Sequence, residues 1–239
     1  MVLNTLLTII QQGFCYALVA MGVYISYKIL DFPDLTVDGT FPLGSVVCVM
    51  LISNGVHFIT ALSIAFIAGG LAGAVTGILH VKFKISNLLA GILTMTALIS
   101  INLNLGNVDG TLRVFISYGN MKTLFNNSFT NIFPSNLDSL ANIIIFVIIV
   151  AVFKVLLDFF LKTKTGFMLK AVGNNEQMCT SLGVDVGNYK ILGVSIANAM
   201  VALAGGVYGQ WMNYYDNTSG TGMVVLALAS VIIGCAIFA

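Results

Sequence analysis

Charge is the scarcest commodity in this chain. Ten Lys plus Arg and nine Asp plus Glu are spread over 239 residues, or 8%, where a soluble domain carries about 25%. So few charges cannot coat the outside of a soluble fold. A soluble enzyme, a nucleic-acid binder and a disordered chain are all excluded on that ground. Other absences sharpen the reading. The two histidines, His57 and His80, stand too far apart to hold a metal, so no metal site is expected. Cys15, Cys48, Cys179 and Cys235 form no CxxC pair and read as packing residues. No GxxxxGK[ST] loop is present to cradle phosphate, so ATP chemistry would have to come from another chain. No basic residue precedes Lys28, so the opening apolar run lacks the charged start of a signal peptide and reads as a span.

What is abundant is apolar sequence: 58% of the residues, with 24 glycines besides. The fold class that follows is all-α, a polytopic integral membrane protein forming one transmembrane domain over residues 1–239. Spans are predicted over Leu3–Tyr27, Phe41–Ser53, His57–Leu79, Ile85–Leu105, Leu140–Leu161 and Tyr189–Gln210, with a seventh opening near Gly222. Two polar stretches separate them, 106–139 and 162–188. The final apolar run stops at Ala239 without a polar flank, which reads as a truncated chain. Lys28, Lys82, Lys84, Lys154, Lys162, Lys164, Lys170 and Lys190 fall at one set of span ends, and only Arg113 and Lys122 at the other. Cytoplasmic loops carry the excess of Lys and Arg. The N-terminus and the 106–139 loop are therefore expected outside, and the 162–188 loop in the cytosol. Lys154 and Asp158, four residues apart near the inner end of the fifth span, read as a snorkelling pair rather than an ion relay.

Within the spans, small and polar residues fall in stripes. Gly69, Gly73 and Gly77 repeat every fourth residue, as close helix contacts require in lipid. Ser195, Asn198, Gly205 and Gly209 share a face of the sixth span, and Asn87, Gly91, Thr94 and Asn102 a face of the fourth. The glycines are helix-packing candidates. The amides and hydroxyls read equally as interhelical hydrogen bonding or as the lining of a translocation pathway. Neither stripe holds an acid or a base, which argues against an ion-driven carrier.

Asp31-Phe-Pro-Asp-Leu-Thr-Val-Asp-Gly-Thr40 can be a solvated turn. It can also be a broken or re-entrant element leading to the pathway, with Asp34, Thr36 and Asp38 as lining candidates. The shortness of the next apolar run favours the second. In the 162–188 loop, Asn174 can cap a helix with Gln177 reaching back, and Gly183 can stop it. So short a helix needs a partner surface, and Met178 and Leu182 supply one apolar face. A plain turn between spans accounts for the same spacing.

Gly166-Phe-Met-Leu-Lys-Ala-Val-Gly-Asn-Asn-Glu176, Ser181-Leu-Gly-Val-Asp185 and Tyr189-Lys190 resemble the cytosolic loop of permeases in ATP-binding-cassette importers, the group that includes branched-chain amino-acid and sugar permeases. Asp31–Phe41 and Ala227-Leu-Ala-Ser-Val-Ile-Ile-Gly234 resemble a narrower branch, the tryptophan- and tyrosine-type importers. Two departures lie at the C-terminus. Cys235 stands where similar members usually have Glu, and those members continue through further membrane segments.

The resemblance implies a non-enzymatic, cofactor-free transport subunit in the plasma (inner) membrane of a prokaryote. It would work with a cytosolic ATPase, an extracellular or periplasmic binding protein and a second permease copy, surrounded by lipid and without nucleic acid. Lys170, Gly173, Asn174, Asn175, Glu176, Met178, Leu182 and Gly183 would then form the ATPase-coupling element. Two other classes stay open. An ion-coupled secondary transporter would need ion ligands in the spans and an internal repeat, and neither is visible. A non-transporting fragment would explain the abrupt end.

Overall fold

The computed structural model describes residues 2–107, 113–115, 123–125 and 138–237. Its helices are α1 (Val2–Val23), continued by a π-helical turn (Tyr24–Ile29), then α2 (Val37–Ser53), α3 (Phe58–Val81) and α4 (Asn87–Leu105). There follow α5 (Asp138–Lys162), α6 (Lys164–Asn174), α7 (Glu176–Ser181), α8 (Val186–Met212), a 3-10 turn (Asn217–Gly220) and α9 (Met223–Ile237). Among the described residues, six helices are long and apolar enough to cross a membrane, and α2 is a shorter apolar helix. The polytopic all-α expectation holds. Its second span, however, begins four residues before Phe41 and is not preceded by a solvated turn.

α8 is the axis of the bundle. It is the most buried of the long apolar helices and packs on α1, α2 and α3. With lipid as solvent, burying leucine gains little, so helices associate by close backbone approach. The predicted glycine stripes do this inside one chain. A methyl group at Gly69 would collide with Ala202, one at Gly73 with the Val194 carbonyl, and one at Gly77 with Ile191. On another face of α8, Gly205 lies against the Phe41 carbonyl and Gly209 against Ser45, so α2 is drawn equally close. α5 is the opposite case. Its apolar surface is almost wholly uncovered, with Ile148, Val152, Leu156 and Phe159 exposed as lipid-facing residues would be.

The stretch 106–139 lies mostly outside the described residues, Lys122 included. Its described part contains β1 (Arg113–Phe115), which pairs antiparallel with β2 (Tyr214–Asp216) in the register Val114 opposite Tyr215. The buried Tyr215 hydroxyl donates to the Asn217 side-chain oxygen at 2.9 Å. The same hydroxyl lies 3.4 Å from the Asn102 carbonyl, which brings the segment between α8 and α9 close to the end of α4.

Candidate functional site

The first element of the site is an interruption. α1 passes into a π-helical turn, a rare form that is frequent at functional sites. The chain then runs without helix through Asp31, which holds a left-handed φ of 52°, to Thr36, the residue before α2. The Asp34 end of the interruption lies at membrane depth. Its partner Asn198 stands near the middle of the 27-residue α8, about 18 Å from Val186 at 1.5 Å per residue. Backbone without regular partners survives there only if buried in protein or lining water. Here Phe32 N donates to the Ser26 carbonyl at 2.9 Å, and Gly39 N to the Thr36 carbonyl at 2.9 Å.

Side chains complete the satisfaction. The Asp34 carboxylate accepts from Thr36 N at 2.8 Å and from Asn198 Nδ2 at 2.6 Å. Asn198 Oδ1 in turn accepts from the Thr40 hydroxyl at 2.9 Å. The Thr36 and Thr76 hydroxyls meet at 3.0 Å. Asp34, Thr36, Thr40, Thr76 and Asn198 are all buried. The expected Asp34, Thr36 and Asn198 thus come together, with Thr40 and Thr76 as members that sequence reasoning missed. A lone Thr in an apolar helix carries no signal until its partner is known. Gly91 leaves room for Leu35 and Asp34 to lie against α4.

The remaining pathway candidates make separate contacts. Asp38 accepts from the backbone N–H groups of Gly222 at 3.1 Å and Val224 at 2.8 Å, capping α9 with a carboxylate as the helix dipole favours. Ser195 donates to the Gly70 carbonyl at 2.6 Å and joins α8 to α3. Thr94 is buried and bonds back to Ala90 in its own helix. Asn102 donates to the Gly39 carbonyl at 3.0 Å, while its own buried Oδ1 has no partner. Asn87 opens α4, and no hydrogen bond among the described residues joins it to the cluster.

The second element is the α6–α7 pair. The expected single helix with Asn174 as its cap is corrected. Asn174 ends α6, and Asn175 caps α7 by accepting from Met178 N at 2.9 Å. Gln177 does not close a capping box. Gly183 does hold the left-handed conformation, at φ 77°. Leu169 and Val172 of α6 are buried in one cluster with Ile25, Ile29 and Leu30. Gly173 sits so close to Ile29 that a methyl group would collide with its carbonyl. The pair is therefore seated on the π-helical turn itself. Lys190 of α8 clamps Glu176 with both carboxylate oxygens at 2.8 and 2.9 Å. Lys170 is exposed on α6. On the outer face Phe167, Met178 and Leu182 are 68%, 60% and 70% exposed, a concentration of bare apolar surface away from the spans. Among the described residues, no cluster of three or more His, Cys, Asp or Glu could hold a metal.

The model of a permease family, described as "Branched-chain amino acid transport system / permease component", matches residues 5–238. A tyrosine transport system permease protein of Clostridioides difficile (strain R20291) is 40% identical over 236 residues, 99% of this chain and 75% of that protein. The ribose import permease protein RbsC of Escherichia coli (strain K12) is 24% identical, over 97% of this chain and 69% of that protein. No solved structure matches the chain.

Proposed function

We infer the function from membership: this chain belongs to the family of permease components of branched-chain amino acid transport systems. It is a membrane-spanning permease component of an ATP-binding-cassette transport system, and such systems carry ATPase and substrate-binding subunits alongside the permease. Beyond that, we propose that the solute is an amino acid with an aromatic side chain, tyrosine or a close relative. The observation that carries this is the 40% identity across 99% of the chain to a tyrosine transport permease.

In the proposed working unit two copies of the permease face each other in the plasma membrane of a prokaryote. Each has its N-terminus and the 106–139 loop outside and the α6–α7 pair in the cytosol. The exposed Phe167, Met178 and Leu182 dock on the ATPase, with Lys170, Asn175 and Glu176 at the edges of that contact. Movement of α6 is delivered through Gly173 and Ile29 to the π-helical turn, and from there to the Asp34–Asn198 cluster. That cluster, with the orphaned Asn102 Oδ1 near it, borders the pathway and parts when solute passes. In this lining the one carboxylate, Asp34, is engaged by Thr36 and Asn198, and the other groups are amides and hydroxyls, which suits a pump whose energy comes from another subunit.

The test is ATP-dependent uptake of labelled tyrosine into proteoliposomes that hold this permease with its ATPase and binding protein. Uptake that needs all three subunits is the expected result. An assembled complex that hydrolyses ATP but imports no aromatic amino acid overturns the substrate assignment.

A further inference from the structure

A crevice of about 960 Å³ opens between α1, α5 and α9, within the range of roughly 300–1,000 Å³ typical of small-molecule sites. Its walls are mostly apolar, with Ala17, Met21, Leu157 and Val231 beside the rings of Tyr16 and Tyr24. Three charges lie along it: Lys28 from the π-helical turn, and Lys154 and Asp158 from α5. Lys154 Nζ meets Asp158 Oδ2 at 3.0 Å, and the two side chains are 66% and 50% exposed.

The position of this pair is its most informative property. Lys154 lies eight residues before Lys162, where α5 ends, which is about 12 Å at 1.5 Å per residue. Lys154 therefore lies within the apolar stretch, and Asp158, four residues from Lys162, lies about 6 Å from the helix end. Such groups are costly in lipid and mark solute pathways or partners of opposite charge. Simple pairing satisfies one cation and one anion and leaves Lys28 over. The crevice thus offers two cations, one carboxylate, apolar walls and two tyrosine rings. That set is complementary to a molecule bearing a carboxylate, an ammonium group and an aromatic side chain.

We propose that this crevice is an intramembrane binding site for a zwitterionic amino acid. Lys28 and Lys154 take its carboxylate, Asp158 takes its ammonium group, and the tyrosine-lined wall takes its side chain. The proposal rests on the amino-acid importer reading above and gives that reading a site. Tyr24 and Lys28 also border a second groove of about 880 Å³, shared with Phe167, Lys170 and Met178 of the α6–α7 pair. Motion of that pair would reach the crevice through the same two residues.

A phosphatidylethanolamine headgroup carries the same two charges, so the test separates the sources. The complete importer is reconstituted in vesicles with and without phosphatidylethanolamine, and uptake of labelled tyrosine is measured. Three variants are compared: Lys28→Gln, the charge-free double Lys154→Met/Asp158→Leu, and the exchange Lys154→Asp/Asp158→Lys. Membrane insertion and co-purification of the ATPase report intact assembly. The expected result is a fall of tenfold or more in uptake for the double and exchanged variants in both lipids, and a smaller fall for Lys28→Gln. A purely structural ion pair would be restored by the exchange, so wild-type uptake by that variant overturns the site. Losses seen only with phosphatidylethanolamine present point to a lipid site and also overturn it. If the wild-type complex assembles but imports no amino acid, the importer reading fails first and the site falls with it.

Discussion

Asn198 Nδ2 lies 2.6 Å from Asp34 Oδ2, a contact between residues 164 positions apart that fastens the interrupted helix to the axis of the bundle. Its consequence for stability follows from the burial of both partners. A hydrogen bond to a charged group contributes about 1.5–3 kcal/mol, and a buried polar group left alone costs its full desolvation. Asn198→Leu removes the donor to Asp34 and the acceptor of Thr40 together. The expected loss is about 2–4 kcal/mol, read as a lower thermal midpoint of the purified permease in detergent. Asp34→Asn keeps the shape but offers one acceptor oxygen in place of two, so it retains one of the two accepted bonds, sets its NH2 group against the other donor and should also lower the midpoint. Equal melting of Asn198→Leu and the parent would mean that the cluster does not hold the broken element in place.

The seating of α6 gives a separate prediction. Gly173 has no room for a side chain against the Ile29 carbonyl. Gly173→Val must therefore lift α6 off the π-helical turn while leaving the spans packed. The expected phenotype is uncoupling: ATP hydrolysis continues, but loaded binding protein no longer stimulates it and uptake is lost. Stimulation at the parental level in this variant would show that the signal takes another route.

Much of this architecture was legible in the composition, and the reasons differ by element. Long spans such as α3 and α5 declare themselves by uninterrupted apolar length. The glycine stripe at Gly69, Gly73 and Gly77 announced a close helix contact, though not that α8 would fill it. The α6–α7 boundary slipped by one residue because Asn174 and Asn175 are both good caps, and local sequence cannot choose between them. α6 itself went unread because Gly166 and Gly173 weaken helix propensity. Their small size is needed to approach the backbones near Phe160 and Ile29. The π-helical turn had no signature at all, since Tyr24–Ile29 continues the apolar pattern of α1. Thr40 and Thr76 acquire meaning only from partners 158 and 40 residues away.

The cap at α9 is open to a direct measurement. Asp38 accepts from two N–H groups at the start of that helix, and loss of such a cap costs about 0.5–2 kcal/mol. Asp38→Ala should loosen α9 from α2, seen as faster hydrogen exchange of the amides of Val224 and its neighbours. Asp38→Asn retains an acceptor and should recover part of the protection. Unchanged exchange in Asp38→Ala would mean that packing of Met223, Val224 and Ala227 on α1 alone fixes the helix.

Orientation can be settled by labelling. Cysteines placed singly at Lys82, Lys164 and Lys170 should react only from the cytosolic side of intact cells, and one at Lys122 only from outside. Labelling of position 122 from the cytosol alone would invert the whole arrangement and put the α6–α7 pair beyond the reach of any ATPase.

The last prediction concerns the surface of that pair. Met178 and Leu182 each leave most of their area bare, and covering such a side chain fully yields about 1.5–3 kcal/mol. Together they could supply much of a docking contact. Met178→Asp/Leu182→Asp would put two unpaired carboxylates there, at a high desolvation cost. The change lies outside the lipid, and the α6 seat on Ile25 and Ile29 does not involve either residue, so the spans should still insert and fold. The expected result is loss of the ATPase on purification with unchanged yield of permease from the membrane. Gly183→Val should act by a different route. It forces a β-branched residue to φ near 77°, a strain of about 1–3 kcal/mol, and tilts α7 without altering its apolar face. Its ATPase should be retained but poorly stimulated. If the double Asp variant keeps both its ATPase and its uptake, the helix pair is only a connector, and the contact that drives transport lies elsewhere on the lysine-rich face.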